Sequence, residues 1–283
     1  MRTVVTLTLI YLFVAVTTLA WGQGGVFVTG HDPDFHAVVG GGNNAGAKHI
    51  IQDALAFVTQ RPANNVGNIL LVTDLNDPGS GFSDPRNGLA AAGYTFTVAD
   101  DGTAGGSVLD LHTVNFADYN AVVVASDFGG WLRQSELDIL DNRSPDILNY
   151  INHGGGLVAF AESGTPNGLT TGGQFGFLPF LVSTAPTNLS ETGNTLTPFG
   201  QTLGLTDSDI NGNFYHNVFT TTGGMNVVDI DPQNRIISLA FFGTLTPGGV
   251  GGVPEPSGLA LVGAGMVAML LLCCRPGQRR ELL

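Results

Sequence analysis

Between residues 25 and 161 the chain alternates short apolar runs with segments whose apolar residues recur every three or four positions, and this alternation narrows the fold more than any other feature. The runs lie at 25–29, 68–73, 94–98, 121–125 and 156–161, the fourth being the β-branched stretch expected of a strand buried on both faces. Between them, 45–59 carries Ile50, Ile51, Ala54, Leu55 and Val58 on one helical face, 85–92 predicts a modest helix, and 135–152 predicts a longer one. That last segment has Leu137, Leu140, Ile147, Leu148 and Ile151 apolar and is closed by His153 and three glycines. Strand and helix in turn imply parallel neighbours joined by right-handed crossovers. The expected class is α/β: a mostly parallel sheet flanked by helices in a three-layer sandwich. Beyond it, 177–182, 226–231 and 236–242 read as strands and 198–205 as a short helix, extending the sheet at an edge. No repeat of solenoid or propeller period is visible.

Both ends carry addressing signals. Residues 1–22 read as a secretory signal, with Arg2 ahead of an apolar stretch and Ala20-Trp21-Gly22 as a small-x-small cleavage site; an N-terminal membrane helix is the alternative. At the other end an apolar run over 259–274, slightly short for a bilayer span, is followed by Arg275, Arg279 and Arg280, which belong on the cytoplasmic side. Pro254, Glu255 and Pro256 stand just ahead of it. This order over residues 253–283 resembles the PEP-CTERM sorting signal of exosortase-processed bacterial proteins, a tail also found on some ice-binding proteins. The resemblance implies an exosortase-type processing enzyme as partner, transient membrane retention through the C-terminal transmembrane helix, and release to the cell surface or extracellular matrix, with exopolysaccharide as a possible neighbour. A permanent single-span anchor is the alternative. The glycine-rich stretch 246–252 reads as a flexible linker, leaving 23–245 as the folded domain.

Charge and cysteine usage exclude several chemistries. Residues 23–252 hold 21 acidic against 6 basic side chains, a body that repels phosphate backbones, so nucleic acid is not an expected partner. Cys273 and Cys274 are the only cysteines. The body therefore has no disulfide, no thiol nucleophile and no Cys-ligated zinc.

The stretch 147–164, ILNYINHGGGLVAFAESG, joins a helix, a glycine turn and a buried strand, and DYNAVVVASDFGGW precedes it at 118–131. Together they resemble the approach to the nucleophile elbow in class I glutamine amidotransferase-like domains, which implies a flavodoxin-like sheet. Where those enzymes place cysteine, this chain has Glu162, Ser163 and Gly164, so amidotransferase activity does not carry over.

The densest chemistry is GHDPDFHA at 30–37: His31, Asp32, Asp34 and His36 directly after the first strand. Ligands in open α/β sheets bind beyond the carboxyl ends of the strands. Asp74 and Asp77 after the second run, Asp127 after the fourth and Glu162 after the fifth belong to the same layer, and His216 is a further candidate. His31, Asp34, His36, Asp127 and His216 are the candidate metal or ligand-binding residues, with Asp32 or Glu162 as candidate base. Mixed nitrogen and oxygen donors suit zinc, manganese or iron, and an oxygen subset suits calcium. The same residues have structural alternatives: an Asx-Pro turn at 32–34, a helix cap at Asp127, turn chemistry at 162–164, a satisfied histidine at 216. The glycines of 38–50 lack phosphate-loop spacing. Three functions stay open: an exported, non-catalytic domain binding cation or glycan; a metal-assisted hydrolase of extracellular polymer; and an ice- or matrix-binding adhesin, for which the body lacks a Thr-rich periodic face.

Overall fold

The computed structural model describes residues 22–38, 42–75, 85–104, 108–127, 131–163, 169 and 174–250. Strand β1 (Gly24–Thr29) leads through the one-turn helix α1 (Pro33–His36) into α2 (Asn44–Thr59), and β2 (Ile69–Val72) is followed by α3 (Pro85–Ala91). Then come β3 (Thr97–Asp100), β4 (Leu109–Asp110), β5 (Ala121–Val124), the helices α4 (Gln134–Asn142) and α5 (Ser144–Asn152), and β6 (Gly156–Ala159). The remainder is β7 (Thr184–Ser190), β8 (Thr195–Leu196), α6 (Pro198–Gln201), β9 (Phe214–Phe219), β10 (Asn226–Ile230), β11 (Ile236–Gly243) and the ribbon β12 (Leu245–Thr246) with β13 (Gly249–Val250).

Eleven strands form one mixed sheet, in the order β4-β3-β2-β5-β6-β1-β11-β10-β8, with β9 joined to β11 and β7 off that path. The six strands from β4 to β1 are parallel, as the alternation predicts. Every pairing made by β7 to β11 is antiparallel. The sheet is thus mixed rather than mostly parallel. The reason lies in the connections: between residues 184 and 243 the one α-helix is α6, four residues long, too short for a crossover, so successive strands must turn back.

Alternate residues of the parallel strands feed two cores. Val26, Val28, Leu70, Val72, Val122 and Val124 pack with Leu137, Leu140, Ile147 and Ile151 of α4 and α5. Phe27, Ile69, Leu71, Val123 and Val158 pack on the other side with Ile50, Ile51, Leu55 and Val58 of α2 and Leu89 of α3. Each such side chain contributes roughly 1.5–3 kcal/mol by leaving water, and truncating one would open a cavity in the core on its own side of the sheet.

Local differences from the sequence pattern have identifiable causes. The helix expected over 135–152 breaks at Arg143 because Pro145, in the first turn of α5, has no N–H to donate. Gly93, with φ 97°, and the bond from Tyr94 N–H to the Leu89 carbonyl close α3, so β3 begins at Thr97 rather than 94. Residues 177–182 are turns and bends instead of a strand: Pro179 has no N–H for a ladder, yet Phe177, Leu178, Phe180 and Val182 are buried in the α4–α5 core. The first half of the glycine-rich linker is the β12–β13 ribbon around Pro247-Gly248, tied down by Asn152, whose amide donates to the Leu245 carbonyl. The strand β9 was not among the expected strands at all. Among the described residues no helix is long and apolar enough to cross a membrane. The predicted leader up to residue 21, and the tail with Pro254, Glu255, Pro256, Arg275, Arg279 and Arg280, lie outside the described residues, as does Asp77.

Candidate metal centre

The loop after β1 becomes a site because Pro33 presets one turn of helix. The N–H groups of Phe35 and His36 both donate to the Asp32 carbonyl, and the turn brings Asp32 and His36, four apart, to one side. His36 Nε2 lies 3.2 Å from Asp32 Oδ1. The third member arrives from β9: the N–H of His216 donates to the Gly30 carbonyl at 2.7 Å, His31 and Tyr215 form an antiparallel bridge, and His216 Nε2 comes 3.4 Å from Asp32 Oδ2. Gly30 has to be glycine here, since a Cβ would collide with the Asn217 carbonyl.

Asp32, His36 and His216 each offer one ligand atom, and these atoms lie within 4.8 Å of one another. All three side chains are buried, Asp32 with no exposed surface. Its two oxygens face these imidazoles, which stand close enough to pair with the carboxylate but outside ideal hydrogen-bond geometry. Burial by itself would raise the Asp32 carboxyl, but His216 and His36 reverse that and hold it below its ordinary value. On the outer side, the Phe35 ring stands edge-on to His36 with centroids 5.0 Å apart, and the Phe214 ring lies nearly parallel to it at 6.5 Å. Phe214 is 45% exposed.

The other candidates are engaged elsewhere. His31 donates through Nδ1 to Glu191 at 2.5 Å and through Nε2 to Asp229 at 2.8 Å. Burial opposes its charge, yet the two carboxylates raise its pKa to about 10, so it is an imidazolium with both nitrogens occupied. Asp34 accepts from the N–H of Ser126, just past β5, at 2.8 Å and from that of Phe35, which lays α1 across the ends of β1 and β5. Burial pushes its carboxyl up to about 7 against those donors, and the Asp32 charge adds to the rise. Asp127 accepts from the N–H of Ser163 at 2.8 Å and from its hydroxyl. Glu162 accepts from the N–H of Phe175 through Oε2, while Oε1 has no hydrogen bond. Burial holds that carboxyl well above its ordinary range. Asp74 pairs with Arg133 at 2.8 Å, and His153 caps α5 by donating from Nδ1 to the Asn149 carbonyl. The structure therefore gathers Asp32, His36 and His216 into one cluster, and gives His31, Asp34, Asp127 and Glu162 separate partners around it.

No protein family, curated protein or solved structure matches this chain.

Sequence reasoning missed Glu191, Asp229 and Asn217. Asn217 binds Glu162 twice, accepting from its N–H and donating to its carbonyl, which ties β9 to the end of β6. A signal for the Asp32–His36 pair was present in the i, i+4 spacing of Asp-Pro-Asp-Phe-His. No local signal links either residue to His216.

Proposed function

We propose that the chain is an exported bacterial protein, retained briefly in the membrane and then released to the cell surface or matrix by an exosortase-type enzyme acting at Pro254-Glu255-Pro256. Its body is an amidotransferase-like, three-layer α/β domain without nucleophile chemistry that binds a cation or glycan at the carboxyl ends of its parallel strands. The observation that carries the binding role is the convergence of Asp32, His36 and His216 into a single buried cluster at that edge. The parallel block, with helices on both faces, supports the amidotransferase-like reading. The elbow position supports the non-catalytic reading in that Glu162, Ser163 and Gly164 stand where the enzymes have cysteine.

A second reading, a metal-assisted hydrolase, draws on Asp34, whose carboxyl near 7 adjoins Asp32 electrostatically. The export arm is tested by mass spectrometry of protein from the native host. Mature ends near Gln23 and near the Pro-Glu-Pro motif are expected; an intact chain in the cytosol overturns it. Turnover of extracellular polysaccharide by the purified protein, lost in Asp34→Asn, would favour the hydrolase.

A further inference from the structure

We propose that Asp32, His36 and His216 bind one first-row divalent metal ion of the zinc or iron(II) type through one carboxylate oxygen and two imidazole nitrogens. The inference rests on the binding role proposed above and names the ligand.

Four observations carry it. First, the spacing is of the right order: a tetrahedral ion with bonds of about 2.1 Å holds its ligand atoms about 3.4 Å apart, and here one ligand atom from each of the three residues lies within 4.8 Å of the others, with His36 Nε2 3.2 Å from Oδ1 and His216 Nε2 3.4 Å from Oδ2 of Asp32. Second, the Asp32 carboxylate has no exposed surface, and its partners are two imidazoles that stand close to its oxygens but outside ideal hydrogen-bond geometry, so its burial is only partly compensated by protein groups. A cation between the three side chains completes the compensation. Third, two nitrogens and one oxygen are the donor set of borderline first-row ions; calcium and magnesium take shells of oxygen.

Fourth, the ligands are positioned from outside the cluster. The Gly30–His216 bond and the His31–Tyr215 bridge set β9 against the end of β1. The paired bonds of Asn217 to Glu162 hold the next residue of β9, and Asp34 pins α1 to Ser126. A site of this kind needs little rearrangement to accept its ion. The ion in turn would join the first strand of the parallel block to β9, which pairs with β11 through the single register position Ile236–Phe219.

The test uses the purified full chain, stripped with a chelator and titrated separately with Zn²⁺, Co²⁺, anaerobic Fe²⁺, Ca²⁺, Mg²⁺ and exopolysaccharide-derived oligosaccharide. One equivalent of zinc or cobalt is expected, with visible cobalt bands of nitrogen and oxygen ligation, and a melting temperature raised by the ion. His36→Ala and His216→Gln should each weaken binding about 100-fold, the upper end of what loss of even a supporting group costs a metal site. Asp110→Asn, which removes an exposed carboxylate partner of His112, should leave it unchanged. Because His216→Gln could disturb β9, the cobalt spectrum of the unaltered chain stands as an independent readout. Failure of the unaltered chain to retain any first-row ion at micromolar excess overturns the proposal, as does equal affinity in both histidine variants. Binding of calcium or of an oligosaccharide alone, abolished by His216→Gln, overturns the metal assignment while leaving the binding role standing. Absence of binding to every probe overturns both.

Discussion

His31 and Asp32 are chain neighbours that sit at the centres of opposite triads. His31 is an imidazolium between two buried carboxylates, Glu191 and Asp229, and both of its nitrogens donate at hydrogen-bond distance. Asp32 is a carboxylate between two buried imidazoles at the longer separations of 3.2 and 3.4 Å, outside ideal hydrogen-bond geometry. The same three ingredients, two of one charge type around one of the other, give a closed clamp in the first case and a looser cluster in the second. Geometry decides between them. In the clamp, Glu191 is itself anchored by the N–H of Asn213, and Asp229 lies on β10, so His31 ties the parallel block to the antiparallel one. The binding role proposed above falls to the triad whose members stand farther apart.

The largest effect that could break this comparison belongs to the clamp. His31→Leu leaves Glu191 and Asp229 buried side by side without their cation, and urea unfolding should show a loss of about 3–5 kcal/mol. Linkage gives the sign of the pH dependence. The His31 pKa is raised from 6.5 to about 10, so its stabilisation is complete below about pH 6.5 and is lost as pH rises toward 10. Stability of the unaltered chain should therefore fall on the alkaline side by up to about 1.4 kcal/mol per pH unit, a slope absent from His31→Leu. Next in size is the wall the two triads share. Gly30→Ala drives a methyl group into the Asn217 carbonyl, which should cost about 1–3 kcal/mol and move β9. A variant that unfolds normally yet loses His216 from the cluster would sharpen the division of labour.

How much of this was legible beforehand follows the range of the interactions. The parallel block was readable because each strand and helix declares itself within a dozen residues, through runs such as Ala121–Val124 and the spacing of Ile50, Ala54 and Leu55. The one-turn proximity of Asp32 and His36 was readable for the same reason. The strand β9 was not: its buried positions include His216 and Asn217, consecutive polar residues on opposite faces that break the apolar pattern, His216 facing Asp32 and Asn217 bonded to Glu162. Glu191 and Asp229 lie about 160 and 200 positions from His31, and only the folded sheet brings them together. The acidic layer was foreseen as one convergent edge. In the folded chain, backbone N–H groups 92, 36 and 13 positions away bond Asp34, Asp127 and Glu162 one by one, an outcome that composition does not reveal.

Asp32→Asn asks whether the open triad matters to the fold. Its carboxyl lies below the ordinary value, so its stabilisation is present at neutral pH and is lost as pH falls through the folded value. Removing the charge should cost about 1–2 kcal/mol at pH 7, clearly less than the clamp variant. A loss equal to that of His31→Leu in the same urea experiment would erase the distinction between the two triads.

The smallest effect comes from Glu162, a third buried acid beside both. Its carboxyl is held well above 4.5 by burial, so the unfolded chain ionises first and this residue lowers stability as pH rises from about 4.5 until the folded group also ionises. Glu162→Gln keeps an oxygen for the N–H of Phe175, whose left-handed backbone, φ 57°, depends on that partner. The substitution should be neutral near pH 4 and stabilising by about 1 kcal/mol at pH 8, read from the same urea curves at the two pH values. A destabilised variant at pH 8 would mean that the ionised carboxylate is used in the folded state, which would turn Glu162 from a structural acid into a candidate base and bring the hydrolase reading forward.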